Sequence, residues 1–127
     1  MLSEKLTYRF RRPRRWEVMQ FWNTEGLLVA KRVIGLPGEN VSIVDHQVCI
    51  NGEPIDRPAS LQWLSYYAYG NLRKGQSVDC GNGYYVLGDS SDDSYDSRFE
   101  GPVPPDRIVA RGWMILRPLK RLRFITP

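Results

Sequence analysis

Two neighbouring cations, Lys31 and Arg32, stand in the middle of the apolar run LLVAKRVIGL (27–36). Successive side chains of a β-strand face opposite ways, so one of the two must point into apolar surroundings. A buried arginine keeps its proton and only needs an acidic partner. Burial of a lysine instead lowers the pKa of its amine, and a neutral amine is a general base. The plainer alternative is that Lys31 reaches solvent at a sheet edge.

A second polar cluster, GDSSDDSYDSR (88–98), follows directly on the apolar run YYVL. In an extended segment Asp96 and Arg98 lie on one side, where they can form a charge-assisted pair. The spacing of the four acids between residues 89 and 96 does not match the alternating oxygen ligands of a calcium loop. We therefore expect no metal and no cofactor. Cys49 and Cys80 match no metal or redox motif, and two free thiols or one disulfide would fit equally.

The elements that must hold these residues are short apolar or alternating runs separated by turn signals rich in Gly, Asn, Asp and Pro. The runs are 17–22, 27–36, 40–45, 47–50, 84–89 and 107–116. Helical periodicity is weak throughout. The sequence predicts an all-β fold of antiparallel sheets that form a sandwich or a partly closed barrel, with a β-hairpin insert.

The insert begins with VSIVDHQVCI (41–50), which predicts a hairpin reversing at Asp45 and His46, followed by a second turn at Asn51 and Gly52. Residues 56–79 then lose alternation and leave the main sheet. We predict a catalytic-core β domain from residues 1–39 and 81–127, and an inserted hairpin and loop subdomain from residues 40–80.

Several segments together resemble one enzyme family. KRVIGLPGE (31–39) resembles the K-R-[VA]-[VI]-G-L-P-G-[DE] box of bacterial type I signal peptidases, which are Ser-Lys dyad serine endopeptidases. GDSSDDSYDSR resembles their G-D-N-R-D-N-S-x-D-S-R box, in the same order and with a β insert between the two. CINGEPID, GPVPPDRIVARGWMIL and EKLTYRFRRPRRWEVMQF resemble further family segments. The resemblance extends over nearly the whole chain.

The resemblance implies roles for individual residues. Lys31 corresponds to the general base that takes the proton of the serine nucleophile. Ser94 corresponds to the serine that orients this lysine, and Ala30 to a position that helps to line a shallow substrate pocket. Asp96 and Arg98 match a structural ion pair, and Asp89 an acid that supports the same loop.

The nucleophile of the family sits in an S-M-x-P-T-L box, and this sequence begins downstream of that pattern, at MLSEKLTYRF. Ser3 lacks the Met-x-Pro context. We therefore expect no nucleophile in this chain, and expect the chain to be inactive by itself, because a base with no hydroxyl to deprotonate cannot form an acyl-enzyme.

The implied function is signal peptide processing, with cleavage of preproteins after small residues at the extracytoplasmic face of the plasma membrane. Basic residues crowd both ends of the chain, which has a net charge of +4, and an anionic membrane surface would attract them. No stretch approaches the ~20 apolar residues of a membrane-spanning helix. We expect no nucleic acid partner.

Two other readings stay open at this point. A self-cleaving repressor-type Ser-Lys protease would need a cleavage loop and a DNA-binding domain, and neither is evident in the sequence. A non-catalytic basic β-domain could bind protein or nucleic acid through the Tyr-rich segment and the Arg-rich ends.

Overall fold

The computed structural model describes residues 12–89 and 96–111 of the 127-residue chain. The strands are β1 (Val18–Trp22), β2 (Leu28–Gly35), β3 (Asn40–Val44), β4 (Gln47–Ile50), β5 (Glu53–Pro54), β6 (Val78–Asp79), β7 (Tyr85–Leu87) and β8 (Ile108–Arg111). One short helix, α1, covers Ser97–Glu100, and 3-10 turns occupy Ala59–Leu61, Gly70–Leu72 and Pro105–Arg107. The prediction of an all-β fold is confirmed.

The described strands pair antiparallel in two four-stranded sheets, with the orders β7-β2-β1-β8 and β5-β4-β3-β6. Within the described part of the chain, neither sheet closes into a barrel. The long strand β2 lies between β1 and β7 in the first sheet, and its first half pairs with β1 and its second half with β7. Lys31 pairs with Met19 of β1, one residue before the part of β2 that pairs with β7.

The predicted hairpin insert forms the second sheet, and its reversals are those expected from the sequence. Asp45 and His46 have φ of 52° and 64°, and Asn51 and Gly52 have φ of 53° and 86°. Two-residue loops with positive φ at both positions match the right-handed twist of the strands they join. The Asn51 side chain also accepts a hydrogen bond from the Asn40 amide at 2.9 Å, which secures the second turn.

The larger apolar core is shared by both sheets. Buried residues of β2 and β7 pack with those of β3 and β4 in one cluster, which contains Ile34, Val41, Ile43, Val48, Ile50, Leu64, Tyr66, Leu72, Cys80, Tyr85 and Leu87. A smaller cluster covers the other face of β2 and contains Met19, Phe21, Val33, Tyr84, Val86 and Val103. The division into a core domain and a subdomain over residues 40–80 stays a prediction.

Candidate active site

Lys31 sits at the centre of β2 on the face covered by the smaller cluster. Its strand neighbours on that face are Val29 and Val33, and its antiparallel partner on β1 is Met19. The lysine is only 8% exposed. Apolar side chains therefore surround the stem of Lys31, as expected for a buried amine and not for one at a sheet edge.

Arg32 occupies the opposite face of β2 and has a complete set of partners. Its guanidinium donates to both oxygens of Asp89, Nε to Oδ1 at 3.0 Å and Nη2 to Oδ2 at 2.8 Å. A third bond runs from Nη1 to the carbonyl of Trp16 at 2.8 Å. The charge of the arginine is thus balanced by a bidentate pair with Asp89.

The Lys31 amine has no comparable partner, because none of the described side chains forms an ion pair or hydrogen bond with it. Burial lowers the pKa of Lys31, and the nearby carboxylates of Asp96 and Glu100 oppose that shift without cancelling it. The Arg98 guanidinium adds to the lowering. The site therefore favours the neutral amine more than water does.

Lys31 lines a cavity of about 240 Å³. Apolar side chains form one part of the wall and polar side chains from the region of α1 form another. The lining consists of Phe21, Asn23, Val29, Lys31, Val86, Asp96, Ser97, Glu100, Gly101 and Val103. An amine that is both buried and open to a small cavity can meet a bound hydroxyl group.

The α1 side of the cavity is built on a buried ion pair. Asp96 and Arg98 are both fully buried, with Nη2 and Oδ2 2.5 Å apart and Nε and Oδ1 2.9 Å apart. The Asp96 carboxylate also accepts bonds from the amides of Gly88 at 2.8 Å and Arg98 at 3.0 Å. The second of these bonds caps α1 at its N-terminus. One carboxylate thus fixes both the start of α1 and the end of β7.

Residues of the 56–79 segment brace α1 from outside. The Asn71 side chain donates from Nδ2 to the Ser97 carbonyl at 2.7 Å and accepts at Oδ1 from the Tyr85 hydroxyl at 2.6 Å. Arg98 Nη1 donates to the Tyr67 carbonyl at 2.8 Å. The Ser97 hydroxyl accepts a bond from the Val86 amide at 2.9 Å, which holds α1 against β7.

The structure brings together some of the residues singled out in the sequence. Lys31 and Asp96 line one cavity, with Arg98 bound to Asp96, whereas Asp89 is bound to Arg32 on the other face of β2. Ala30 is fully buried and is not part of the cavity lining, so its substrate-pocket role stays a prediction. Ser94 lies outside the described residues.

Three site residues were not identified from the sequence: Ser97, Glu100 and Asn71. Ser97 and Glu100 lie beside the Asp96–Arg98 pair, and a helical turn after Asp96 would have indicated both. No sequence signal indicated Asn71, because its contact with Ser97 joins segments that are 26 residues apart.

Three further features of the described residues concern metal ligands, thiols and membrane-spanning helices. No three His, Cys, Asp or Glu side chains in residues 12–89 and 96–111 are grouped as metal ligands. Cys49 and Cys80 are both buried free thiols. Of the helices that the structure describes, none has the length and apolar character needed to cross a membrane.

Comparison with known proteins identifies the family of this chain. The family described as "Signal peptidase, peptidase S26" matches residues 1–116. The chain belongs to this signal peptidase family. It is 34% identical to a signal peptidase I of Leptolyngbya laminosa, over 100% of this chain and 64% of the relative. It is 32% identical to a probable signal peptidase I-2 of Synechocystis, over 99% of this chain and 58% of the relative.

A solved structure agrees with this membership. The crystal structure of a signal peptidase I from Enterococcus faecalis V583 matches with a TM-score of 0.60 at 30% identity, covering 80% of this chain and 97% of the other. The chain spans about three fifths of the length of the Leptolyngbya and Synechocystis relatives.

Proposed function

We propose that this chain forms the lysine-bearing part of the catalytic domain of a type I signal peptidase, which cleaves preproteins after small residues. The observation that carries the proposal is the Lys31 amine, which is buried, has no ion-pair partner among the described side chains and opens to a small cavity. Names of the relatives, each a signal peptidase I, support the same activity.

In the proposed mechanism, the neutral amine of Lys31 takes the proton of a serine hydroxyl as the serine oxygen attacks the scissile carbonyl. The ammonium so formed gives the proton to the leaving amine, and an acyl-enzyme remains. The same amine then activates the water that hydrolyses this ester. The nucleophilic serine is not assigned to any residue of this chain, and Ser94 is proposed to orient the lysine.

The cavity supports a preference for small side chains. Its volume of about 240 Å³ has to take the nucleophile and the substrate atoms together, and Phe21, Val29 and Val86 bound it with apolar surface. A large side chain beside the scissile bond would clash with these walls. The finer assignments, which are signal peptides as substrates, an anionic membrane surface as a partner and the extracytoplasmic face of the plasma membrane as the location, belong to the same proposal.

The direct test is cleavage of a reporter with an Ala-x-Ala site by the protein supplied with the serine box of its family. We expect cleavage, and expect Lys31→Ala to lower kcat by about 10³-fold or more, the range for loss of a general base. Lys74→Ala, which removes an exposed lysine, is the matched control and should keep full activity. A Lys31→Ala protein with activity within a factor of three of the parent would overturn the mechanism.

A further inference from the structure

Glu100, the last residue of α1, places a carboxylate on the wall of the Lys31 cavity. Its Oε1 lies 3.4 Å from the amide of Thr24, at the limit of a hydrogen bond. Its Oε2 is buried and has no hydrogen-bond partner among the described residues. Burying a carboxylate oxygen without a hydrogen-bond donor costs free energy. We therefore expect Oε2 to gain a donor or a positive charge beside it at some stage of the reaction.

The other acid on the same wall cannot play that part. Asp96 accepts four hydrogen bonds, three of them from Arg98 and one from the Gly88 amide. Its charge is already balanced by a buried guanidinium at 2.5 Å. Glu100 is therefore the carboxylate of the cavity lining with an oxygen still able to accept.

We propose that Glu100 is a positioning residue whose carboxylate stabilises the Lys31 ammonium that forms when the lysine takes up the nucleophile's proton. The proposal rests on the proposed function, since that function supplies the proton. The proton moves from the serine oxygen to Lys31 Nζ and stays there until the leaving amine takes it. Glu100 remains an anion throughout and acts through its charge.

Of the described acids that act on the Lys31 amine, Glu100 differs from Asp89 and Asp96 because it is not bound to an arginine. The strands on either side, β1 and β7, contribute the apolar side chains of Met19, Phe21 and Val86 at this point. Asp89 also acts on the lysine, but it is paired with Arg32 on the far face of the sheet. With Asp96 paired to Arg98, Glu100 is, within residues 12–89 and 96–111, the acid acting on the amine that forms no ion pair.

The test is the titration of Lys31, followed by NMR of the ε-carbons in the full chain. The chain has four lysines, Lys5, Lys31, Lys74 and Lys120, so Lys31→Arg identifies the resonance. We expect Glu100→Gln to move the Lys31 midpoint down by roughly 1–2 pH units, the effect of removing one charge about 6–12 Å away at an effective dielectric of about 20. Glu100→Asp, which keeps the charge, should move it less.

Controls separate a local charge effect from other causes. Glu25→Gln removes one exposed carboxylate from the β1–β2 turn and should leave the midpoint in place. Glu100→Met removes the charge without burying a polar amide and should act as Glu100→Gln does, so a folding defect in one variant does not decide the result. Equal shifts in Glu25→Gln and Glu100→Gln, or no shift in either neutral Glu100 variant, would overturn the proposal.

The titration needs no serine and no substrate, so it fails independently of the cleavage assay. An unshifted midpoint in an active protease contradicts the role of Glu100 alone. A shifted midpoint in a protein that never cleaves the reporter contradicts the proposed function, while the charge coupling between Glu100 and Lys31 is supported.

Discussion

The adjacent cations Lys31 and Arg32 differ in their partners, because Arg32 is bound by a carboxylate and Lys31 is not bound by any described one. Arg32 is held by the bidentate pair with Asp89 and by the Trp16 carbonyl. Lys31 is buried, but no acid among the residues that the structure describes forms an ion pair with it. The carboxylates of Asp96 and Glu100 therefore offset the desolvation of Lys31 only in part, and this imbalance lowers the pKa of its amine.

The same imbalance predicts how stability depends on Lys31. A charged amine buried without a partner lowers the free energy of unfolding, so Lys31→Met should raise it by about 1–2 kcal/mol near neutral pH. The folded-state pKa of Lys31 lies below its ordinary value of 10.5. Between those two values the unfolded chain binds more protons, so the wild type gains stability as pH rises. The advantage of the variant should shrink across this window and vanish above about pH 10.5.

Urea unfolding of wild type and Lys31→Met at several pH values measures this difference. Contributions from other titrating groups are common to both proteins and cancel in the comparison. Lys74→Met, at an exposed site, should show no pH-dependent difference from wild type. A Lys31→Met protein less stable than wild type at pH 7 would mean that the ammonium is well solvated or paired.

Alternation along the strand correctly predicts that Lys31 and Arg32 face opposite ways, yet it cannot say which one is buried. The structure buries Lys31 within the smaller cluster and leaves Arg32 partly exposed on the opposite face, where it pairs with Asp89. That arrangement depends on strands that pair from distant parts of the sequence. Glu100 was missed for a related reason, since its place on the wall depends on the turn of α1 after Asp96.

Among the elements, hairpins are read from sequence far better than the segment that follows them. The Asp45–His46 and Asn51–Gly52 turns require positive φ, and their residue types predict them directly. The 56–79 segment is held instead by contacts with residues distant in the sequence, such as the hydrogen bond from Asn71 to Ser97, and by the burial of Leu64, Tyr66 and Leu72 in the shared core. No local pattern encodes such contacts, so the sequence predicts only that this segment leaves the sheet.

The packing of the Gly70–Leu72 turn against α1 gives a test at this scale. Gly70 has φ of 62°, and a Cβ there would lie 2.1 Å from the Arg98 carbonyl oxygen. Gly75 has φ of 83°, and a Cβ there would meet nothing within 4 Å. Gly70→Ala should therefore cost about 3 kcal/mol or more, against about 1 kcal/mol for Gly75→Ala, which has only the left-handed backbone to accommodate.

Chemical denaturation of the two alanine variants measures both costs, and the difference between them isolates the clash. If the proposed function holds, Gly70→Ala should also lower reporter cleavage by the protein supplied with the serine box, because the added Cβ displaces the backbone of α1 beside the cavity. Equal losses of stability in the two variants would show that the turn does not press on α1.

For the molecule as a whole, the shared core argues that the two sheets unfold together. Ile34 of β2 and Tyr85 of β7 belong to the same cluster as Val41 and Val48 of the insert. Cys80 lies at the junction, where its amide donates to the Glu39 carbonyl at 2.8 Å. A separately stable subdomain over residues 40–80 would have to expose this shared surface, at a cost that the burial of several large apolar side chains makes considerable.

Cys80 can report that unfolding. Burial, with Glu39 adding to it, raises the pKa of the Cys80 thiol to about 11 from an ordinary 9.0. At pH 8 the native thiolate fraction is therefore about 100-fold below that of an unfolded chain, and buried sulfur is also shielded from reagent. The raised pKa of Cys80 also contributes to the free energy of unfolding. This contribution is fully present below pH 9 and is lost as pH rises toward about 11, because the unfolded thiol ionises first.

The experiment labels Cys80 with a thiol reagent at pH 8 along a urea series, in a Cys49→Ser, Trp63→Phe protein. With Trp63 removed, the three remaining tryptophans, Trp16, Trp22 and Trp113, all lie outside residues 40–80. Because Trp16 packs against the shared core, their fluorescence reports on that core and on the chain outside the insert, while Cys80 reports on the junction with the insert. We expect one midpoint for both signals, since a single core has to open before either changes. Labelling of Cys80 at urea concentrations that leave the fluorescence native would instead show that residues 40–80 open as a unit of their own.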